Sequence, residues 1–278
     1  MSCCPTNPRR PGDAPRASRH LARALVPILR GWSNAVLSVL IAPRCLTCGA
    51  WLDTPIEGPV CASCWQAVVP ITPPFCRTCG DGLPAWRGRD RSSGLCARCR
   101  RQPPLLTCAR AAGPYAGVLR QLLHALKYEG RRTLAIRLSV LMKARGREAL
   151  AGADFVVPVP LHWRRRHARG FNQAEDLARG LGPPIVHALR RVRATAPQFG
   201  LSAPRRRRNV QEAFAPPRRG FLRRRRHDPR LRGACVVLVD DVCTTGATLE
   251  ACATALMAGG AREVRALTAA RAASMPRG

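Results

Sequence analysis

The sequence predicts an α/β protein: a parallel sheet with helices on both faces, preceded by a small cysteine-rich module. Two observations carry this. From Gly113 onward, apolar runs of strand length alternate with stretches whose apolar residues recur at helical spacing, the pattern of βα units. Before that point, residues 44–100 hold four Cys-x-x-Cys pairs among prolines and glycines and no long periodic run. A chain of 278 residues accommodates one ordinary domain and a small module, and an apolar fraction of 46% belongs to a globular protein.

Residues 1–19 are rich in Pro, Arg and small side chains, a composition that predicts disorder. Residues 20–43 read as an amphipathic helix, with Leu21, Leu25, Ile28, Trp32, Val36 and Val39 at helical spacing. The upstream arginines give this stretch the look of a signal peptide, but Arg23 and Arg30 interrupt it. The longest uncharged run, Gly31–Pro43, is too short for a span, which needs about 20 apolar residues. The helix therefore packs on its own protein or lies on a membrane surface, and no stable membrane span is expected.

The cysteine module covers residues 44–101. The chain has 14 cysteines, and chance placement accounts for about one Cys-x-x-Cys pair. Cys45-Leu46-Thr47-Cys48-Gly49 and Cys76-Arg77-Thr78-Cys79-Gly80 look like copies of one another, each followed by a second pair, Cys61/Cys64 and Cys96/Cys99. Two thiolates two residues apart hold one ion from a tight turn, and the glycine lets the backbone fold back. Two such knuckles complete a tetrahedral Cys4 zinc site. The expected groupings are Cys45, Cys48, Cys61, Cys64 and Cys76, Cys79, Cys96, Cys99, a double zinc ribbon with two structural ions; a crossed pairing of knuckles is the alternative. Closed Cys4 sites supply folding energy rather than catalysis. Cys235 and Cys252 read as small core residues.

The second domain is expected over residues 110–273. Helices are read at Tyr115–Tyr128, Arg132–Leu150, Asn172–Leu181 and Thr248–Ala258. Strands are read at Asp154–Val159, Ile185–Leu189, Cys235–Val239 and Glu263–Ala269. Residues 194–232 read as a long, mobile, arginine-rich loop. The run Cys235–Val239 is continuously apolar, as in a central parallel strand buried on both faces.

That run leads into Asp240, Asp241, then Val242-Cys243, then Thr244, Thr245, Gly246, Ala247 and Thr248. Ligands sit at the carboxyl ends of strands in open α/β sheets. A loop entering a helix turns free N–H groups and the positive helix end toward an anion. Gly246 permits close approach, and three threonines add hydroxyls. The acidic pair is unsuited to the same anion and suited to vicinal hydroxyls. Hydroxyls beside a phosphate describe a ribose 5-phosphate. The plainer alternative is an acidic turn with an N-cap threonine.

A second basic segment follows Val157-Pro158-Val159-Pro160: Arg164, Arg165, Arg166 and Arg169, then Gly170-Phe171-Asn172-Gln173. Guanidinium groups fork onto phosphate oxygens, so this loop is a candidate diphosphate site, a solvated basic loop being the alternative.

The stretch Val239–Thr248 resembles the phosphoribosyl diphosphate (PRPP) motif of type I phosphoribosyltransferases. Four Cys-x-x-Cys pairs, then Leu126-Lys127-Tyr128, Pro158-Val159-Pro160, Arg169–Gln173, Arg208-Asn209 and the acidic pair together resemble the ComF family of competence proteins over residues 40–270. The resemblance implies a type I phosphoribosyltransferase-like sheet behind a double zinc ribbon. It implies that Asp240 and Asp241 hold the ribose hydroxyls and that Thr244, Thr245, Gly246, Ala247 and Thr248 cradle the 5-phosphate. Lys127, Arg164, Arg169 and Arg208 are the basic candidates around the diphosphate. It also implies magnesium with PRPP, single-stranded DNA as a partner, contact with competence-machinery proteins, and a cytoplasmic place in DNA uptake. Purine-salvage members commonly carry aspartate where Thr244 stands, which argues against a purine-base enzyme. No general base is assigned.

The net charge is +31, and only Lys127 and Lys143 are lysines. Such a field attracts polyanions, though a genome favouring arginine codons gives the same excess. Residues 204–232 contain twelve arginines, with Phe199, Phe214 and Phe221 in or near the stretch. Closure over substrate, nucleic-acid contact with base stacking, and a solvated insertion are the readings of that loop. Three functions follow: a phosphoribosyltransferase, a PRPP- or nucleotide-sensing DNA-binding protein, or a zinc-ribbon adaptor with an inactive pocket, which the intact motif disfavours.

Overall fold

The computed structural model describes residues 43–83, 94–192, 213–217 and 228–272. The tail 1–19, nearly all of the 20–43 helix, Arg208, Phe199, Phe221 and both four-arginine runs lie outside the described residues. The chain divides into two compact units, Met1–Ala62 and Ser63–Gly278. Among the described residues no helix is long and apolar enough to cross a membrane.

The two knuckles repeat in detail. In the first unit the N–H of Cys45 donates to the Ala50 carbonyl at 2.7 Å and that of Gly49 to the Cys45 carbonyl at 2.9 Å. In the second unit Cys76 donates to Asp81 at 2.8 Å and Gly80 to Cys76 at 2.9 Å. Gly49 and Gly80 take left-handed φ values of +74° and +69°, which makes glycine the residue that closes each turn. Short helices α1 (Ala62–Gln66) and α2 (Ala97–Arg101) carry the second Cys-x-x-Cys of each pair onward.

The larger unit contains a four-stranded, all-parallel sheet in the order β1-β6-β5-β2. Its strands are β1 (Ala109–Pro114), β2 (Phe155–Pro158), β5 (Cys235–Cys243) and β6 (Glu263–Arg271). Its helices are α3 (Gly117–Tyr128), α4 (Leu134–Arg145), α5 (Arg147–Leu150), α6 (Trp163–Arg169), α7 (Gln173–Ala178) and α8 (Ala247–Ala258). A separate hairpin pairs β3 (Arg190–Arg191) with β4 (Phe214–Ala215). Val236, Val237, Leu238 and Val239 are all fully buried, because both faces of β5 are covered. Val236 and Leu238 join a cluster with Leu249, Cys252 and Leu256 of α8 and Phe214 of β4. Alternation along the strand sends Val237 and Val239 to the other face, where α7 packs on β5.

Several elements differ from the expectation. β1 was not foreseen, because its alanines and glycine carry no β-branched signal. The helix expected over Arg132–Leu150 breaks at Gly146 into α4 and α5. Only Ile185 of the expected strand at 185–189 bridges to the sheet, opposite Val156. The basic segment after Pro160 is helical as α6, with the His162 Nδ1 accepting from the Arg164 N–H at 3.4 Å. Within 194–232 the described residues form β4 and the turn Pro229–Leu231, and Phe214 is buried rather than free to stack on bases. Cys235 and Cys252 are buried core residues.

Candidate functional site

β5 runs four residues beyond Val239, so the acidic pair lies within the strand rather than after it. Asp240 pairs with Thr268 and Cys243 with Arg271, and the longer β6 supports this extension. β2 stops at Pro158, opposite Val239, leaving the carboxylates at the open end of the sheet. Because successive residues face opposite sides, the two acids meet different surroundings. Asp241 is buried on the side of α3 and α7, where Lys127 Nζ lies 3.0 Å from its Oδ2 and Gln173 Nε2 donates to the same oxygen at 2.7 Å. Asp240 remains partly exposed, and its Oδ1 accepts from the Asp241 N–H at 2.9 Å. Burial and the adjacent Asp241 charge push its carboxyl up to about 7, against the pull of that N–H, Lys127 and Arg191. Burial alone would push Lys127 down, but Asp241 outweighs it and the ammonium is held above its ordinary value.

Gly246 sits at the N-cap of α8 with φ +77°, a left-handed turn that suits glycine and aims the chain into the helix. A cleft of about 320 Å³ opens here. Asp240, Asp241, Thr244, Gly246, Ala247 and Thr248 line one side, and Thr245 is not among the lining residues. Lys127, Arg165, Arg169 and Arg191 line the rest, beside Tyr115, Tyr128 and Gln173. Arg169 donates to Gln173 Oε1 at 2.9 Å and lies 5.4 Å from the Tyr128 ring centre. Arg191 stacks 5.5 Å from the Phe214 ring; burial, and then Arg165, lower its basicity. Arg164 turns instead onto Trp163, at 5.3 Å, and is not a lining residue. The arrangement is an anion-binding helix start and a carboxylate pair facing four cations, suited to a hydroxylated sugar carrying phosphate at more than one position.

The cysteine sulfurs group as Cys45, Cys48, Cys61, Cys64 and as Cys76, Cys79, Cys96, Cys99, each set within 4.8 Å. Cys48 and Cys61 lie 3.7 Å apart, as do Cys79 and Cys96. The edge of a tetrahedron with Zn–S arms of about 2.3 Å is about 3.8 Å, so both sets fit zinc. Despite burial, backbone N–H groups of Cys48 and Cys61 bring the Cys45 thiol down to about 6, and those of Cys79 and Cys96 bring Cys76 to about 7. Cys79 is pushed up to about 12 by burial and neighbouring thiolates, a repulsion that a divalent cation would remove.

Residues 36–100 match the double zinc ribbon domain family, and residues 167–276 match the phosphoribosyl transferase domain family. A competence protein F of Haemophilus influenzae is 31% identical over 241 residues, covering 82% of this chain and 97% of that protein. The chain belongs to the ComF family. A DNA utilization protein YhgH of Escherichia coli K12 is 36% identical over 217 residues, covering 74% of this chain and 87% of the relative. ComFC of Bacillus subtilis is 27% identical, covering 72% and 79%.

The geometry gives a physical reason for the ComF-type run Arg169–Gln173. Gly170 ends α6 and Phe171 is buried beneath Arg132, 5.2 Å from its ring. Asn172 caps α7 by accepting from the Ala174 N–H at 3.2 Å, while its amide donates to the Val159 carbonyl at 3.1 Å. Gln173 then links Arg169 to Asp241. The run thus ties the end of β2 to the acidic pair of β5. Arg165 was named only as part of the basic segment, and Gln173, Arg191 and the two tyrosines were not singled out as ligand-contacting residues. For Gln173 a signal existed, since it closes the ComF-type run. Nothing separated Arg165 from its neighbours, because four near-adjacent arginines on an unforeseen helix do not announce which of them faces inward, and Arg191 lies on the two-residue strand β3, which no local pattern marks.

Proposed function

We propose that this chain is a PRPP-binding, phosphoribosyltransferase-like protein acting in DNA uptake in the cytoplasm. The observation that carries the reading is the convergence of Asp240, Asp241 and the Thr244–Thr248 turn on one cation-walled cleft. Asp240 and Asp241 accept hydrogen bonds from the ribose 2- and 3-hydroxyls. The first turn of α8, with its N–H groups and the hydroxyls of Thr244 and Thr248, takes the 5-phosphate, while Thr245, outside the cleft lining, accepts from the Ala247 N–H through its Oγ1 at 3.4 Å. Lys127, Arg165 and Arg169 face the diphosphate, which binds as its magnesium complex, and stabilise the charge it gains as it leaves the sugar. Arg208 belongs to the same basic set as a sequence-based proposal. Two zinc ions hold the ribbon residues 44–101, and 110–273 form the transferase-like domain. The relatives' names, competence protein F and DNA utilization protein, support the role in DNA handling. For single-stranded DNA the support is α6, where Trp163 is 59% exposed among Arg164, Arg165 and Arg166, a stacking surface within a positive field.

Calorimetric titration of zinc-loaded protein with PRPP and magnesium, beside Asp240→Asn/Asp241→Asn, tests the reading. Micromolar uptake by the native chain that the double variant loses supports it. Absence of uptake by folded native chain removes it and leaves a DNA-handling scaffold. A sensing role without transfer is separated by an acceptor screen for diphosphate release.

A further inference from the structure

Arg98 lies between Cys96 and Cys99, on the helix that ends the second cysteine tetrad. Its Nη1 donates to the backbone carbonyl of Thr245 at 2.5 Å. Its Nη2 lies 3.4 Å from where a β-carbon on Gly246 would sit. An arginine of the cysteine module thus grips the turn that starts α8.

The contact does not stand alone. The Ala109 N–H donates to the Thr78 carbonyl at 2.6 Å and Arg110 Nη1 to the Arg77 carbonyl at 2.9 Å, fixing the first knuckle of the tetrad to β1. Arg271, buried at the end of β6, reaches Asp81 just past that knuckle at 3.2 Å and Cys243 of β5 at 3.4 Å. The tetrad is therefore anchored to β1 and β6, and Arg98 projects from an anchored base.

We propose that Arg98 is a positioning residue for the phosphate-binding turn. In a trans peptide the carbonyl and the following N–H point in opposite directions. The carbonyl held by Arg98 is that of Thr245, which does not line the cleft; the N–H of the same peptide belongs to Gly246, which does. Holding the carbonyl on the ribbon side keeps this N–H turned to the cleft, before any ligand arrives. The guanidinium also places a positive charge behind the turn. Arg98 is flanked by two ligands of the second zinc site, so that site holds the backbone from which the guanidinium reaches the turn.

This inference rests on the proposed PRPP site, and the experiment separates the two. Arg98→Met keeps the aliphatic stem and removes the donors; Arg98→Lys keeps a charged donor group without the guanidinium fork. Zinc content per chain is measured for each, PRPP affinity by calorimetry, and the phosphorus NMR signals of PRPP are followed during titration. The expected result is zinc content equal to the native chain, affinity about tenfold weaker for Arg98→Met, and an intermediate value for Arg98→Lys. The 5-phosphate signal moves less on binding to Arg98→Met, while the diphosphate signals move as in the native chain. A signature confined to one phosphate is not produced by general loosening of the fold. Native affinity and a native 5-phosphate shift in zinc-loaded Arg98→Met overturn the inference, as does any loss of affinity that travels with loss of zinc. Failure of the native chain to take up PRPP is the failure of the underlying reading instead.

Discussion

The ends of β5 and β2 lie side by side at the cleft and are built on opposite plans. The β5 end is short-reached: two carboxylates inside a paired strand, then a turn whose groups are mostly backbone. Its geometry is fixed by the ladder to β6, where Asp240 lies opposite Thr268. The β2 end is long-reached: α6 offers arginines whose heads are several bonds from the backbone, and only Arg165 and Arg169 of that helix line the cleft. One plan sets position through the main chain and tolerates little change. The other sets charge through side chains and tolerates redistribution.

The largest expected effect falls on the β5 plan. Asp240→Asn/Asp241→Asn lowers PRPP affinity by at least about 100-fold in calorimetry, since both carboxylates of the proposed ribose site are lost together. A milder loss would mean that the β2 side carries most of the binding.

The contact that ties α3 to the β5 end comes next. Lys127→Met leaves Asp241 buried with one partner fewer and costs about 3 kcal/mol of unfolding free energy in urea titration. Combining it with Asp241→Asn recovers most of that loss while PRPP binding stays poor. Full additivity of the two substitutions would show that the 3.0 Å pair is not a functional unit.

Asp240 gives a smaller effect with a definite sign. Its carboxyl is raised from 3.8 to about 7 in the fold, so its ionised form is disfavoured there. Below pH 4 the group is neutral both folded and unfolded and contributes nothing. Between pH 4 and 7 stability is lost as the unfolded chain ionises first, and above 7 the loss is complete. Asp240→Asn therefore stabilises the ligand-free protein at pH 8, by about 1–2 kcal/mol after allowance for its partial exposure, and hardly at pH 4. Equal melting shifts at both pH values would contradict the raised carboxyl.

The finest distinction is between neighbours on α6. Arg165→Met weakens PRPP binding about fivefold and Arg164→Met less than twofold, by the loss of one partly screened phosphate contact in the first case only. A reversal would show that α6 turns on binding.

The same contrast explains what could be read from the sequence. The β5 end was legible because burial leaves an unbroken run, Cys235–Val239, and because phosphate chemistry at a helix start demands glycine and hydroxyls in a fixed order. The zinc module was legible because thiolate spacing is set by the ion. β1 was not, since Ala109–Pro114 holds its place by being small enough for α4 to pack on it. Nor was the length of β5 beyond Val239, because acids in a strand look like its end until β6 is seen beside them. The role of Arg98 was not legible either, since its partner is a carbonyl 147 residues away, which no local pattern encodes.

The strand order has a further consequence for how the protein comes to exist. β6, at Glu263–Arg271, lies between β1 and β5, bonded to both. On the ribosome, β1 and the β2–β5 pair emerge first with a gap where the shared neighbour of β1 and β5 belongs, leaving exposed, aggregation-prone edges until it arrives. Ordering of the turn between β5 and α8 then depends on a strand made after both, and chaperone dependence or a ribosomal pause before residue 263 would act directly on the yield of competent sites.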